Sequence, residues 1–183
     1  MRSTGADVAM VMLMEHDDRD LVHSSCGVLV NLAITPSGKR LLLRDRGEGL
    51  RTILSVVKDA GTKDIGLSTL ACRALYNVYM TGSIEGGNGS EEMSDDDIDA
   101  LSRERDRLRP TVCAALDELE DVVSDMVEDM EEEEDEEDEE ELCMCRDFLD
   151  VVRPMLKKLD NEGDGNEMEK EENDMVPLKD CKK

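Results

Sequence analysis

The most constraining feature of this chain is an internal repeat in its first half. The segment LVHSSCGVLVNLAI (21–34) aligns with LSTLACRALYNVYM (67–80) at a constant offset of 46 residues. The alignment pairs Cys26 with Cys72 and Asn31 with Asn77. A repeat of this length indicates stacked helical units, each of which buries its hydrophobic face against its neighbours.

The apolar residues of both segments recur at helical spacing. Positions 21, 28, 29 and 32 share one helical face in the first segment, as do 67, 74, 75 and 78 in the second, a pattern typical of helices with one apolar side. Acidic residues precede each segment and suit a helix N-terminus: Asp18, Asp20 and Asp64. The sequence predicts two long helices over 20–33 and 66–79, stacked in parallel, with Leu29 and Leu75 in the core.

Shorter helices are predicted between the long ones. KRLLLRDR (39–46) and LRTILSVVKD (50–59) read as a short and a medium helix, with breaks at Pro36, Gly38, Gly47, Gly49 and Gly61. The run GADVAMVMLME (5–15) resembles GLRTILSVVKD (49–59), so the chain opens within a repeat. Since about three repeats are usually needed for stability, we expect this chain to be the C-terminal part of a longer protein.

The period, the helix order and the two asparagines resemble the armadillo repeat family over about 75 residues. The resemblance implies an all-α fold, an α-solenoid of armadillo-type helical repeats with a helical C-terminal cap and disordered acidic segments. It also implies a non-catalytic protein-protein interaction scaffold or adaptor. The stretch HDDRDLVHSSCGVLVNLAI (16–34) is similar to a ciliary and flagellar member, which implies a role in axoneme assembly.

The same resemblance implies a partner-binding groove. In peptide-binding armadillo proteins an asparagine at the place of Asn31 and Asn77 bonds the backbone of an extended peptide, because an amide both donates and accepts. Arg73 lies one turn before Asn77, at the place where importin-like members carry a Trp, and its counterpart is Gly27. We therefore expect Asn31, Arg73 and Asn77 to bind an acidic segment rather than a lysine-rich one. The alternative is that each Asn only ties adjacent repeats together.

Charge divides the chain and narrows its partners. Residues 1–82 carry 10 Lys+Arg and 9 Asp+Glu, whereas residues 83–183 carry 12 and 38, a net charge of −26. Such a charge disfavours nucleic acid and anionic membranes, and no apolar stretch reaches the ~18 residues of a membrane span. We therefore expect protein or peptide partners, while the sequence leaves the oligomeric state open.

The cysteines and the N-terminus bear on localisation. The chain begins without a secretory signal pattern, and its six cysteines form no CxxC pairs, which favours a reduced cytoplasmic setting. The resemblance extends this expectation to the cilium or flagellum. Cys143 and Cys145 form a lone CxC with no nearby His, too few ligands for a closed zinc site.

The acidic half divides into linker, helix and tail. The expected organisation begins with armadillo repeats over 1–82, of which the first is incomplete, and a flexible linker over 83–97. Helices are expected over 98–130, divided before Pro110, and an acidic disordered run over 131–141. A terminal helix over 142–160, kinked at Pro154, and a disordered tail over 161–183 are expected after that run.

Two alternative functions rest on this half. An acidic tail could serve as a chaperone for basic proteins. A weaker alternative is calcium binding, because Asp160, Glu162, Asp164, Asn166 and Glu171 fall at EF-hand loop positions, without a second loop to pair with. His16 and His23 have no nucleophile or metal ligand beside them in the sequence, so we expect no enzyme activity, no cofactor and no resident metal.

Overall fold

The fold is all-α, a stack of helical repeats. The computed structural model describes residues 16, 18–80, 94–133 and 139–168, with only the backbone of residues 133 and 162–168. The described helices are α1 (Arg19–Ile34), α2 (Pro36–Ala60), a 3-10 turn (Gly61–Asp64), α3 (Ile65–Met80), α4 (Asp95–Glu133) and α5 (Glu139–Met168). This confirms the all-α solenoid, and the predictions over 1–15, 81–93, 134–138 and 169–183 lie outside the described residues.

Side-chain caps fix the two ends of α1. The Asp18 carboxylate accepts hydrogen bonds from the backbone N–H groups of Asp20 at 3.0 Å and Leu21 at 3.3 Å, satisfying donors that the first turn leaves open. At the other end, Thr35 caps the start of α2 by accepting from the Gly38 N–H at 3.0 Å, and Pro36 occupies its first turn. These caps place α1 and α2 next to each other.

A bend divides α2 into the short and medium helices that the sequence predicts. Arg44 leaves the helical conformation, and Asp45, Arg46 and Gly47 take left-handed values, with φ of 51°, 63° and 70°. Glycine is required at the third position, because a Cβ at Gly47 would lie 2.5 Å from Cδ1 of Leu108 on α4. The bend therefore lets α2 and α4 approach closely.

The long helices form the spine of the stack. α3 packs on both α1 and α2, α5 packs on both α3 and α4, and α4 packs on α2. Leu29 is 1% exposed and Leu75 is fully buried, which confirms the central core prediction. One continuous hydrophobic core therefore runs from α1 through α3 to α5.

The predicted apolar face of α1 is partly wrong. Leu21 and Val28 are 38% and 47% exposed, although their counterparts Leu67 and Ala74 are buried. The difference follows from position in the stack. Helix α1 packs against this side of α3, whereas the described residues place no helix against the same side of α1. The core side of α1 is instead formed by Val22, Ser25, Cys26, Leu29 and Ala33.

The terminal helix forms a third layer of the stack. The buried positions of α5 repeat those of α3 at a constant offset of 77 residues, which exceeds the 46-residue period by 31. The pairs are Ser68 with Cys145, Ala71 with Phe148, Cys72 with Leu149, Leu75 with Val152, Val78 with Met155 and Tyr79 with Leu156. The region predicted as a C-terminal cap therefore continues the repeat pattern. The additional 31 residues lengthen the spacing between this layer and the one before it.

Several predicted boundaries in the acidic half need correction. α4 begins at Asp95, within the predicted linker, because Asp95, Asp96 and Asp97 complement the positive end of the helix. It also runs through Pro110 without a break, since Leu108 and Val112 on either side are buried and hold the helix in place.

The helices also extend into the predicted disordered segments. Residues 131–133 continue α4, and residues 139–141 form the first turn of α5, where acidic side chains are favourable. The guanidinium of Arg146 lies 2.7 Å from the Glu131 carboxylate and offsets part of the repulsion there. α5 then continues across Pro154 as far as Met168, eight residues beyond the predicted end.

Candidate functional site

The two asparagines predicted to line a partner-binding groove differ in role. The Asn77 side-chain amide donates to the backbone carbonyl of Val30 on α1 at 2.9 Å. The side chain is half-buried between the two helices. Asn77 therefore ties the second repeat to the first, as the alternative interpretation of these residues proposed.

Asn31 does not make the equivalent bond between layers. Its amide donates to the Gly27 carbonyl within α1 at 3.1 Å, and the side chain is exposed. The amide makes no other hydrogen bond with the described residues. Asn31 thus keeps the capacity to bind an incoming backbone that the peptide-binding interpretation requires.

Arg73 provides a cation beside these amides. It is exposed on α3, one turn before Asn77, and makes no hydrogen bond or ion pair with the described residues. At its counterpart Gly27, an added Cβ would meet no atom within 4 Å. An arginine next to open space leaves its planar donors available for a carboxylate.

The third layer changes the chemistry of the groove. At the 77-residue offset, Pro154 takes the place of Asn77 and Asp150 takes the place of Arg73, and both are exposed. Proline has no side-chain amide, so the series of asparagines at this position of the repeat ends at α3. Asp150 was missed by sequence reasoning because the extra 31 residues hide the alignment, and only the burial pattern of α5 reveals it.

A second inter-layer contact centres on Asp64. Its carboxylate accepts from the Leu67 N–H at 3.0 Å, which caps α3 as predicted. It also pairs with the Arg19 guanidinium and lies 3.3 Å from Nε2 of His23, both on α1. Burial alone would raise the pKa of Asp64, but the hydrogen bonds from Arg19 and Leu67 outweigh it and hold the pKa below its ordinary value.

The same contact gives His23 a structural role between the two repeats. His23 lies against a carboxylate from the next repeat, 41 residues later. Sequence spacing gave no signal for the pairing, because the two residues belong to different helices and their distance depends on how the layers stack. The arrangement positions α1 against α3 and does not by itself supply a reactive group.

The two repeat cysteines are core residues. Cys26 and Cys72 occupy equivalent buried positions, and burial raises the pKa of their thiols to about 11 and about 12. Cys143 is exposed on α5. The described residues contain no group of three His, Cys, Asp or Glu side chains arranged to hold a metal ion.

The weak calcium candidate does not have the backbone that it needs. From Asp160 to Met168 the chain continues α5 as helix. An EF-hand holds its ligands on a loop, so a helical backbone over these positions does not favour the calcium interpretation. Asn166 belongs to the same helical backbone, and Glu171 lies outside the described residues.

A membrane-spanning role finds no support in the helices. None of those in the described part of the chain combines the length and the apolar character needed to cross a bilayer.

Comparison with known proteins supports the armadillo-like character of the chain. No protein-family model matches the sequence, and no solved structure matches it. Armadillo repeat-containing protein 2 of Bos taurus and of Mus musculus are each 35% identical over 68 residues, and that of Homo sapiens is 34% identical. Each match covers 37% of this chain but 8% of the relative, so the chain spans a small part of the proteins that it matches. Over that segment, the chain is similar to Armadillo repeat-containing protein 2, which confirms the resemblance on which the fold prediction rests.

Proposed function

We propose that this chain is a non-catalytic protein-protein interaction scaffold that captures an extended, acidic segment of a partner in its groove. The observation that carries the proposal is the exposed Arg73 guanidinium, which has no described partner and lies one turn from Asn77. Armadillo repeat proteins in general bind protein partners, and the similarity described above extends this expectation to the chain.

Each groove residue has a distinct part in the proposed binding. Arg73 binds a carboxylate through two parallel N–H donors, which an ammonium group cannot match in geometry. Asn31 offers its remaining donor and its carbonyl oxygen to the peptide backbone. Asn77 maintains the spacing of the layers through its bond to Val30. Asp150, in the third layer, repels an acidic segment and thereby limits the acidic site to the region of Arg73.

The biological setting is part of the same proposal. The resemblance of residues 16–34 to a ciliary and flagellar armadillo protein favours an adaptor role in cilium, flagellum or axoneme assembly, with a cytoplasmic pool. The identity of the cargo is a matter for capture experiments.

The test is affinity capture from extracts of ciliated cells with two charge-matched variants. Arg73→Glu reverses the groove charge, whereas Lys58→Glu makes the same change at an exposed position of α2, outside the groove. We expect Arg73→Glu to remove the partners that the wild-type chain and Lys58→Glu both retain. Equal capture by all three chains would contradict the groove proposal, and exclusive capture of basic proteins would instead favour the acidic-tail chaperone.

A further inference from the structure

A cluster of arginines at the bend of α2 faces the first half of α4, away from the groove. We propose that this arginine surface, formed by Arg46, Arg51 and Arg107 around Glu104, is a second docking site, which binds a short acidic peptide segment of a partner protein. The inference goes beyond the groove and does not depend on it, because none of these residues belongs to the long helices α1, α3 or α5.

The Glu104 carboxylate is paired with two of the three guanidinium groups. Arg107 Nε donates to the Glu104 carboxylate at 2.9 Å, and its Nη2 donates to the other oxygen. Nη2 of Arg51 lies 3.9 Å from the same carboxylate. The hydrogen bonds from Arg107, and then the charges of Arg51 and Arg46, hold the pKa of Glu104 below its ordinary value. Glu104 is therefore ionised at neutral pH and neutralises only one of three positive charges.

The arginines remain accessible despite this contact. The side chains of Arg51 and Arg107 are 50% and 54% exposed, whereas that of Glu104 is 17% exposed. Arg46 is exposed, and its guanidinium makes no hydrogen bond with the described residues. The carboxylate is thus at the base of the cluster and the cationic groups form its outer surface.

The backbone fixes this arrangement. Arg46 takes a left-handed conformation with φ of 63°, which is unfavourable for a residue other than glycine. Its carbonyl accepts a hydrogen bond from Nε of Arg51 at 3.1 Å, and the neighbouring Gly47 lies against Leu108. The strained turn therefore holds the arginines of α2 beside those of α4, an arrangement that often marks a functional site.

The surrounding charge favours a short acidic peptide over nucleic acid. Residues 38–51 and 101–109 carry nine Lys+Arg against four Asp+Glu, a net charge of +5, so the rest of the chain carries −30. A long polyanion would extend over that negative surface, whereas a few acidic residues can contact the arginine surface alone. Screening confines repulsion to roughly 8 Å at physiological ionic strength.

The acidic run of the same molecule cannot occupy the site. Arg107 and the end of α4 at Glu133 are joined by continuous helix, and 26 residues of helix span about 39 Å. The five residues that follow lead directly into α5. The acidic run between α4 and α5 therefore does not compete with an acidic segment of a partner for the arginine surface.

The test uses an octaglutamate peptide with a fluorescent label as the probe, the full chain, and fluorescence anisotropy. We expect the wild-type chain to bind it, and Arg51→Glu with Arg107→Glu to weaken binding at least tenfold. The matched control, Lys63→Glu with Lys157→Glu, makes the same charge change at two exposed positions away from the cluster and should stay within twofold of the wild type. Each chain is compared in an Arg73→Glu background, so that the acidic site proposed in the groove cannot bind the probe and binding reports on the arginine surface.

Other outcomes would overturn the proposal. Failure of the wild-type chain to bind the probe, or equal weakening by the control pair, would do so. Preference for a single-stranded oligonucleotide of equal charge would assign the surface to nucleic acid. Self-association of the wild-type chain that the double reversal abolishes would assign it to acidic segments of a second copy.

Circular dichroism checks that the double variant is folded. A second variant, Arg51→Gln with Arg107→Gln, removes charge without adding repulsion and should weaken binding to a smaller extent.

Discussion

The side-chain amide of Asn77 donates to the backbone carbonyl of Val30, 47 residues earlier, and so joins two successive long helices. Asn31, its counterpart in the repeat, bonds only within its own helix. The same residue in the same motif therefore has a structural role in one layer and remains open to a ligand in the other.

This difference predicts unequal effects of removing the two amides. Asn77→Ala should lower the free energy of unfolding by about 1 kcal/mol, because it leaves a half-buried carbonyl without its donor. Asn31→Ala, at an exposed position, should change it by less than about 0.5 kcal/mol. Urea denaturation followed by circular dichroism measures both, and equal effects would mean that the inter-layer bond contributes nothing.

The core of the stack predicts a larger loss. Leu75→Ala removes a fully buried side chain between layers and should cost about 2–5 kcal/mol. Leu21→Ala makes the same chemical change at a position that is 38% exposed and should cost much less. Thermal melts of the two variants provide the comparison, and a Leu75→Ala melt identical to the wild type would contradict the burial of α3.

The bend of α2 predicts opposite signs for two glycine substitutions. Gly47→Ala should destabilise the fold by about 1–3 kcal/mol, since φ is 70° and the new Cβ would meet Leu108. Gly27→Ala lies within α1 with open space around it and should stabilise by roughly 0.5–1 kcal/mol. Chemical denaturation of the pair checks the signs, and stabilisation by Gly47→Ala would rule out the left-handed turn.

Asp64 predicts a pH dependence of stability. Its pKa is lower in the folded chain than its ordinary value, so its ionised form contributes stability that is fully present above about pH 4 and is lost as the pH falls through the folded pKa. The stability difference between the wild type and Asp64→Asn should therefore be present at pH 5 and shrink as the pH falls below 4. A difference that grows on acidification would have the wrong sign for a carboxylate paired with Arg19.

The cysteines predict selective alkylation. Cys26 and Cys72 are buried and burial raises the pKa of both thiols, so neither should react with iodoacetamide at pH 8 in the folded chain. Cys143 is exposed and should react first. Peptide mass spectrometry identifies the modified residues, and modification of Cys72 before Cys143 would be inconsistent with the stack.

Local sequence patterns predicted the long helices well, for clear physical reasons. Asp18 and Asp64 are N-caps whose effect acts within three residues, and Leu29 and Leu75 follow from helical periodicity. The exposure of Val28 could not be predicted in this way, because burial on that flank depends on the presence of another helix.

The candidate site was predictable only through the family resemblance. The resemblance implied a role for Asn31, Arg73 and Asn77, but which of the asparagines joins the layers depends on helix-to-helix distances. The contact of His23 with Asp64 and the clustering of Arg51 with Arg107 about Glu104 join residues of different helices. The net charge of the chain did not reveal the arginine surface, because the negative charge of the acidic half outweighs the local positive charge.

The central structural claim is that α5 is a third layer of one solenoid, and hydrogen–deuterium exchange tests it most directly. Phe148 is fully buried on α5, and α5 packs on α3, so Phe148→Ala should destabilise both layers by about 3–5 kcal/mol in total. The predicted result is faster exchange across α3 (Ile65–Met80) as well as across α4 and α5. Faster exchange confined to α4 and α5, with α3 unchanged from the wild type, would contradict a continuous stack.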